Sequence, residues 1–106
     1  MTLRQEKVNS LLKDLAAAFL SREATGSLVT ITRVETSKDL KTGKIFISIF
    51  PESKESDILG LLKEKIGDLK KFIGSQIKMK FLPRLEFEID KAEKNRQNID
   101  EILGKA

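Results

Sequence analysis

Residues Glu64–Lys80 read EKIGDLKKFIGSQIKMK. Ile66, Leu69, Phe72, Ile73 and Ile77 recur at steps of one, three and four, the signature of one apolar helix face. The stripe starts upstream at Ile58 and Leu62. A straight helix from Ser56 to Lys78 would be ~34 Å long at 1.5 Å per residue. A compact domain of this size has a radius of gyration of only ~13 Å, so an unbroken rod would overshoot the body it packs on. Gly67 lies midway, costs about 1 kcal/mol relative to alanine in a helix, and has no Cβ to obstruct a bend. The spacing therefore predicts two helices meeting near Gly67, with Gly74 a helical position packed closely on a neighbour.

The glycines do not form a phosphate loop. Six residues that carry part of the stripe separate Gly67 from Gly74, which is not the two-residue gap of a G-x-x-G clamp. Neither G-x-x-x-x-G-K-[ST] nor G-x-G-x-x-G occurs in the chain.

Working outward, Leu3, Val8, Leu11, Leu12, Leu15, Ala18 and Phe19 outline an amphipathic helix from Leu3 to Leu20. Ser21–Ser27 is a polar linker. Leu28–Ser37 (LVTITRVETS) is rich in β-branched residues and reads as a strand. Lys38–Gly43 carries turn chemistry, with Gly43 expected to supply a positive φ. Lys44–Phe50 (KIFISIF) is the second strand, with Ile45, Ile47 and Ile49 on one face, and the pair is expected to form an antiparallel hairpin. Ser56 or Asp57 is expected to cap the helix after Pro51. Met79–Ile89 is the third strand, with Pro83 near its start and Leu85, Phe87 and Ile89 alternating with the carboxylates Glu86, Glu88 and Asp90. A charged terminal helix follows from Lys91 to Leu103. The fold class is α+β, with residues 1–90 as the main domain and 91–106 as a C-terminal helix or tail.

The chain has 106 residues, 40% apolar and 34% charged, as expected of one ordinary globular domain. It has no cysteine and no histidine, which removes disulfides, thiol nucleophiles and the commonest general base and metal ligand. No run of ~18 apolar residues is present and the N-terminus lacks the apolar core of a signal peptide, so a cytoplasmic protein is expected. The net charge is +4. Lys63, Lys65, Lys70, Lys71, Lys78, Lys80 and Arg84 against Glu64 and Asp68 give one fifth of the chain an excess of +5, leaving −1 for the rest. Charge concentrated in this way fits a footprint for a polyanion, and on charge alone it equally fits a solvated lysine-rich face.

Catalytic candidates are few. Glu86, Glu88 and Asp90 share a strand face, as a metal or acid–base site would require and as an ordinary solvated strand also provides. No second cluster completes a site, and any serine nucleophile would lack a histidine base. The sequence points to no enzyme, no cofactor and no metal.

Four stretches together resemble the ribosome-binding factor A family: RQEKVNSLLKDLA (Arg4–Ala16), LVTITRVETSKDL (Leu28–Leu40), GDLKKFIGSQIKMKFLPR (Gly67–Arg84) and EFEIDKAEKNRQNIDEIL (Glu86–Leu103). The resemblance implies a KH-like type II domain, α-β-β-α-(kink)-α-β with a C-terminal helix, its three-stranded sheet covered by helices on one face. The family has an alanine-x-glycine kink where this chain has Lys65-Ile66-Gly67, which assigns the helix kink to Gly67 and places a lysine at the alanine. It further implies an assembly factor that binds the free or immature 30S subunit through 16S rRNA near its 5′ region and promotes rRNA processing, late maturation and cold adaptation. The partners would be 16S rRNA and the 30S subunit, with no membrane and no small-molecule substrate, and the free protein would be a monomer. The RNA-binding residues would be Lys63, Lys65, Lys70 and Lys71 around the bend, then Lys78, Lys80 and Arg84, with Lys38, Lys41 and Lys44 near the hairpin. The competing reading is a basic adaptor that binds an acidic protein without RNA.

Overall fold

The computed structural model describes residues 3–22, 28–78 and 82–92. The elements are α1 (Leu3–Arg22), β1 (Leu28–Thr36), β2 (Thr42–Phe50), a 3₁₀ turn (Glu52–Lys54), α2 (Glu55–Glu64), α3 (Ile66–Gln76) and β3 (Arg84–Ile89). The sheet order is β1-β2-β3. β1 and β2 form the expected antiparallel hairpin, while β3 runs parallel to β2, because the α2–α3 crossover returns the chain in the same direction. The expected terminal helix lies outside the described residues except for Lys91 and Ala92, which are helical.

One sheet face carries Ile31, Val34, Ile45, Ile47, Ile49, Leu85 and Phe87, all buried. Leu12, Ala16, Phe19 and Leu20 of α1, Ile58 and Leu62 of α2, and Leu69 and Ile73 of α3 close over it as one core. Ile45, Ile47, Leu62, Leu69 and Ile73 are completely excluded from water. Burial of each such side chain contributes about 1.5–3 kcal/mol.

The apolar stripe runs unbroken through α2 and α3, but the helical hydrogen bonding does not. The break falls at Lys65 (φ −92°, ψ 5°), two residues ahead of Gly67. The Lys65 amide closes α2 on the Leu62 carbonyl at 3.0 Å, and its carbonyl accepts the Leu69 amide at 2.9 Å to open α3. Gly67 is the second residue of α3, and a Cβ there would meet nothing within 4 Å. Gly74 is exposed, and a Cβ would make only ordinary contact with Leu82 at 3.7 Å, not the close packing expected.

Four further expectations need correction. The buried stripe of α1 is Gln5, Asn9, Leu12, Ala16, Phe19 and Leu20, whereas Leu3, Leu11 and Ala18 are exposed. Two polar residues displace apolar ones because they serve the hairpin end: Gln5 Nε2 donates to the Thr36 carbonyl at 3.0 Å, and Thr36 Oγ1 donates to Asn9 Oδ1 at 2.7 Å. In the turn, the positive φ (60°) belongs to Leu40 and not to Gly43. Gly43 is buried within β2, where an added Cβ would lie 3.2 Å from Leu85 Cδ2 and 3.6 Å from Pro83 Cβ. Its smallness lets β3 close on β2. At the start of α2 the N-cap residue is Lys54, which makes no side-chain cap hydrogen bond. Ser56 and Asp57 fall inside its first turn, where Asp57 and Glu55 still favour the positive end of the helix dipole.

The fourth correction concerns Asp90, expected on a wet strand face but 5% exposed. β1 and β2 shift register between Ile31 and Arg33, which leaves Thr32 as the extra residue of a bulge. Thr32 Oγ1 donates to Asp90 Oδ2 at 2.6 Å and lies 3.2 Å from the Phe46 carbonyl oxygen, while the Asp90 amide donates to the Ile47 carbonyl at 2.8 Å. Arg33 Nε stands 3.7 Å from the same carboxylate oxygen. The carboxylate is buried because it locks the bulge to the end of β3.

The glycines should respond oppositely to added carbon. Gly43→Val overpacks the β2–β3 contact and should cost about 1–3 kcal/mol. Gly67→Ala should instead stabilise by up to about 1 kcal/mol, since the position is helical and open. Thermal unfolding of the two variants checks both signs.

Candidate nucleic-acid interface

The described basic candidates fall into two groups on different parts of the fold. Lys63 lies in the last turn of α2, Lys65 forms the junction, and Lys70 and Lys71 lie on α3. Lys63 and Lys71 are exposed and Lys70 is half-buried. Their placement follows from the core, since Leu62, Leu69 and Ile73 fix the inner side of the two helices and turn the lysines outward. Among the described residues, no carboxylate lies within ion-pair distance of Lys63, Lys70 or Lys71. Lys65 is half-buried and already engaged with another group.

The second group gathers at the hairpin end. The Arg84 amide donates to the Lys41 carbonyl at 2.8 Å, and Arg84 stands opposite Thr42 in register. Pairing of β3 with β2 thus brings Arg84, distant in sequence, beside Lys41 at the end of the turn that also carries Lys38, and all three are exposed. Lys78, just past α3, is also exposed. Lys80 lies outside the described residues.

Lys44 differs from its neighbours. It pairs with Glu88 at 3.4 Å and sits in register between Glu35 of β1 and Glu86 of β3. Its charge is compensated locally. The open sheet face is mixed in this way: Arg33 and Lys44 interleave with Glu35, Glu86, Glu88 and Asp90. Among the described residues, the basic candidates with no carboxylate within ion-pair distance lie on the helix layer and at the hairpin end. Nor do the strand carboxylates converge: Glu86 is exposed, Glu88 is paired, and Asp90 is committed to the bulge. No group of three or more metal-ligating side chains occurs among the described residues. Among them, too, no helix is long and apolar enough to cross a membrane.

The hairpin turn presenting Lys38 and Lys41 is held by its own polar side chains. Ser37 Oγ donates to Asp39 Oδ1 at 2.7 Å and accepts the amides of Lys41 and Thr42 at 3.1 Å each. Asp39 Oδ1 also accepts the Lys41 amide at 3.1 Å. The Ser37 hydroxyl, then the Lys41 amide, hold the Asp39 carboxyl below its ordinary value of 3.8. A depressed carboxyl favours the folded state at pH well above 3.8 and loses that contribution as pH falls through the folded-state value. The thermal-stability advantage of the wild-type chain over Asp39→Asn should therefore be constant near neutrality and shrink on acidification below pH 3.8. Melting curves across that range check the sign.

Counting charge along the chain passes over one cation. Arg22, the last residue of α1, folds against α3 with its Cζ 4.9 Å from the centroid of the Phe72 ring. The sequence signal was Phe72 at the edge of an apolar stripe already satisfied by Leu69 and Ile73.

The comparisons with known proteins agree with this architecture. The model of the ribosome-binding factor A family matches residues 4–103. A ribosome-binding factor A of Protochlamydia amoebophila is 32% identical over 107 aligned residues, covering 96% of this chain and 82% of that protein. The crystal structure of ribosome-binding factor A from Thermus thermophilus superposes with a TM-score of 0.69 at 28% identity, covering 80% of this chain and 94% of that one. A homology model of the Thermus thermophilus factor, fitted into a cryo-electron microscopy map of a 30S complex, has a TM-score of 0.62 at 23% identity and shares the fold, covering 87% and 97% of the two chains.

Proposed function

Because the chain belongs to the ribosome-binding factor A family, we propose that it is a non-catalytic assembly factor for the small ribosomal subunit. It binds the free or immature 30S subunit through 16S rRNA near the 5′ region and supports rRNA processing and late maturation, including growth in the cold. The fitted 30S complex of the Thermus factor supports the choice of partner.

The observation that carries the reading is the set of lysines at the α2–α3 junction, three of which have no carboxylate beside them among the described residues. An RNA phosphate meeting Lys63, Lys70 or Lys71 displaces counterions without first breaking an internal ion pair, so affinity falls by ~0.7–0.9 logarithmic units per contact for each tenfold rise in salt. The helices are anchored through fully buried leucine and isoleucine, so their charges are held at a set angle. The chain has no tyrosine or tryptophan, which limits base stacking and favours recognition of backbone and shape. The hairpin group, Lys38, Lys41 and Arg84, extends the contact, whereas Lys44 contributes less because Glu88 neutralises it.

Replacing Lys65, Lys70 and Lys71 together by glutamate should abolish cosedimentation with purified 30S subunits at moderate salt and leave the fold intact by circular dichroism. Unchanged cosedimentation would remove these lysines from the interface. A salt-dependent gel shift with protein-free 16S rRNA fragments distinguishes RNA binding from an acidic-protein adaptor, which would give none.

A further inference from the structure

Two arginines in this fold lie over phenylalanine rings, and they are wired differently. Arg33 stacks on Phe46 with its Cζ 4.1 Å from the ring centroid. It is paired with Glu35 at 3.4 Å and faces Asp90 at 3.7 Å. Its charge is used within the sheet. Arg22 stacks on Phe72 at 4.9 Å. It is exposed, and no carboxylate among the described residues lies within ion-pair distance of it.

The surroundings of Arg22 make it more than a loose surface cation. Phe72 is itself held, its ring centroid 5.9 Å from that of buried Phe19 at an interplanar angle of 47°. Stacking on a fixed ring uses the face of a guanidinium and leaves its in-plane N–H groups free. Those groups match two phosphate oxygens, and prior ordering of the side chain lowers the entropy lost on binding. Phe72 directly follows Lys70 and Lys71 on α3, so the stack carries a charge from the end of α1 onto the helix that bears the uncompensated lysines.

We infer that Arg22, pinned on Phe72, is a phosphate-binding residue that completes the α3 lysine group across the α1–α3 seam, its ligand being the phosphodiester backbone of RNA. The inference rests on the RNA-binding reading above and adds to it a residue from a different helix. Arg33 is its internal control, a stacked arginine whose charge is already paired with Glu35 and Asp90.

The test compares the full-length wild type with Arg22→Gln and Arg33→Gln, measuring affinity for purified 30S subunits and for protein-free 16S rRNA across a salt series. Arg22→Gln should bind severalfold more weakly to both, with the slope of log affinity against log salt shallower by about 0.7–0.9. Arg33→Gln should lower the melting temperature and keep the wild-type slope. An Arg22→Gln slope and affinity equal to wild type, with the Lys65, Lys70, Lys71 triple variant defective, would overturn the role of Arg22 and leave the wider reading standing. Weakening toward subunits without weakening toward protein-free rRNA would also overturn it, by assigning Arg22 to a ribosomal protein. Absence of salt-dependent RNA binding by the wild type would instead overturn the RNA-binding reading itself.

Discussion

Lys65 has to end one helix and begin another without interrupting the apolar stripe that both present to the sheet, and the rest of the fold depends on how it does so. Its amide completes the last turn of α2 and its carbonyl starts the first turn of α3. A longer linker would let Ile58 and Leu62 lose phase with Leu69 and Ile73. With one residue between the helices, all four reach the same core while the crossover stays short enough to lay β3 parallel to β2. The direction in which Lys63, Lys70 and Lys71 point is then a consequence of packing, because fully buried neighbours fix the helix rotation.

The two faces of the sheet divide the labour. The covered face is almost wholly aliphatic and aromatic and supplies the core. The open face is where charge is cancelled locally: Lys44 by Glu88, and Arg33 by Glu35 and Asp90. A surface whose charges are already paired gains little from an approaching phosphate, since each new contact must replace an existing one. The helix layer, where Arg22 and the α3 lysines lack such partners among the described residues, gains the full contact.

Element order was legible in the sequence because periodicity survives translation into structure: the isoleucines of β2 alternate as a strand, and Ile58 to Ile73 step as a helix. What was not legible depended on contacts between distant residues. Gln5 and Asn9 look like surface positions until Thr36 is placed beside them, and α1 is consequently rotated from the face its leucines suggest. Asp90 looks like one more solvated carboxylate until a bulge at Thr32 turns a hydroxyl toward it. Gly43 resembles a turn glycine, yet its constraint comes from Leu85, more than forty residues along the chain. The candidate site shows the same limit. A local count of charge found the junction lysines but could not separate paired Lys44 from unpaired Lys71, or see Arg22 arriving from another helix.

Lysine acetylation footprinting of the full-length chain, free and with saturating 30S subunits, tests the central claim most directly, because it reports side chains one by one. The account predicts strong protection of Lys63, Lys70 and Lys71 in the complex, with Lys7 and Lys13 on the exposed side of α1 remaining reactive. Equal reactivity of the three junction lysines in the free and bound states, or protection confined to Lys44 on the open sheet face, would contradict it.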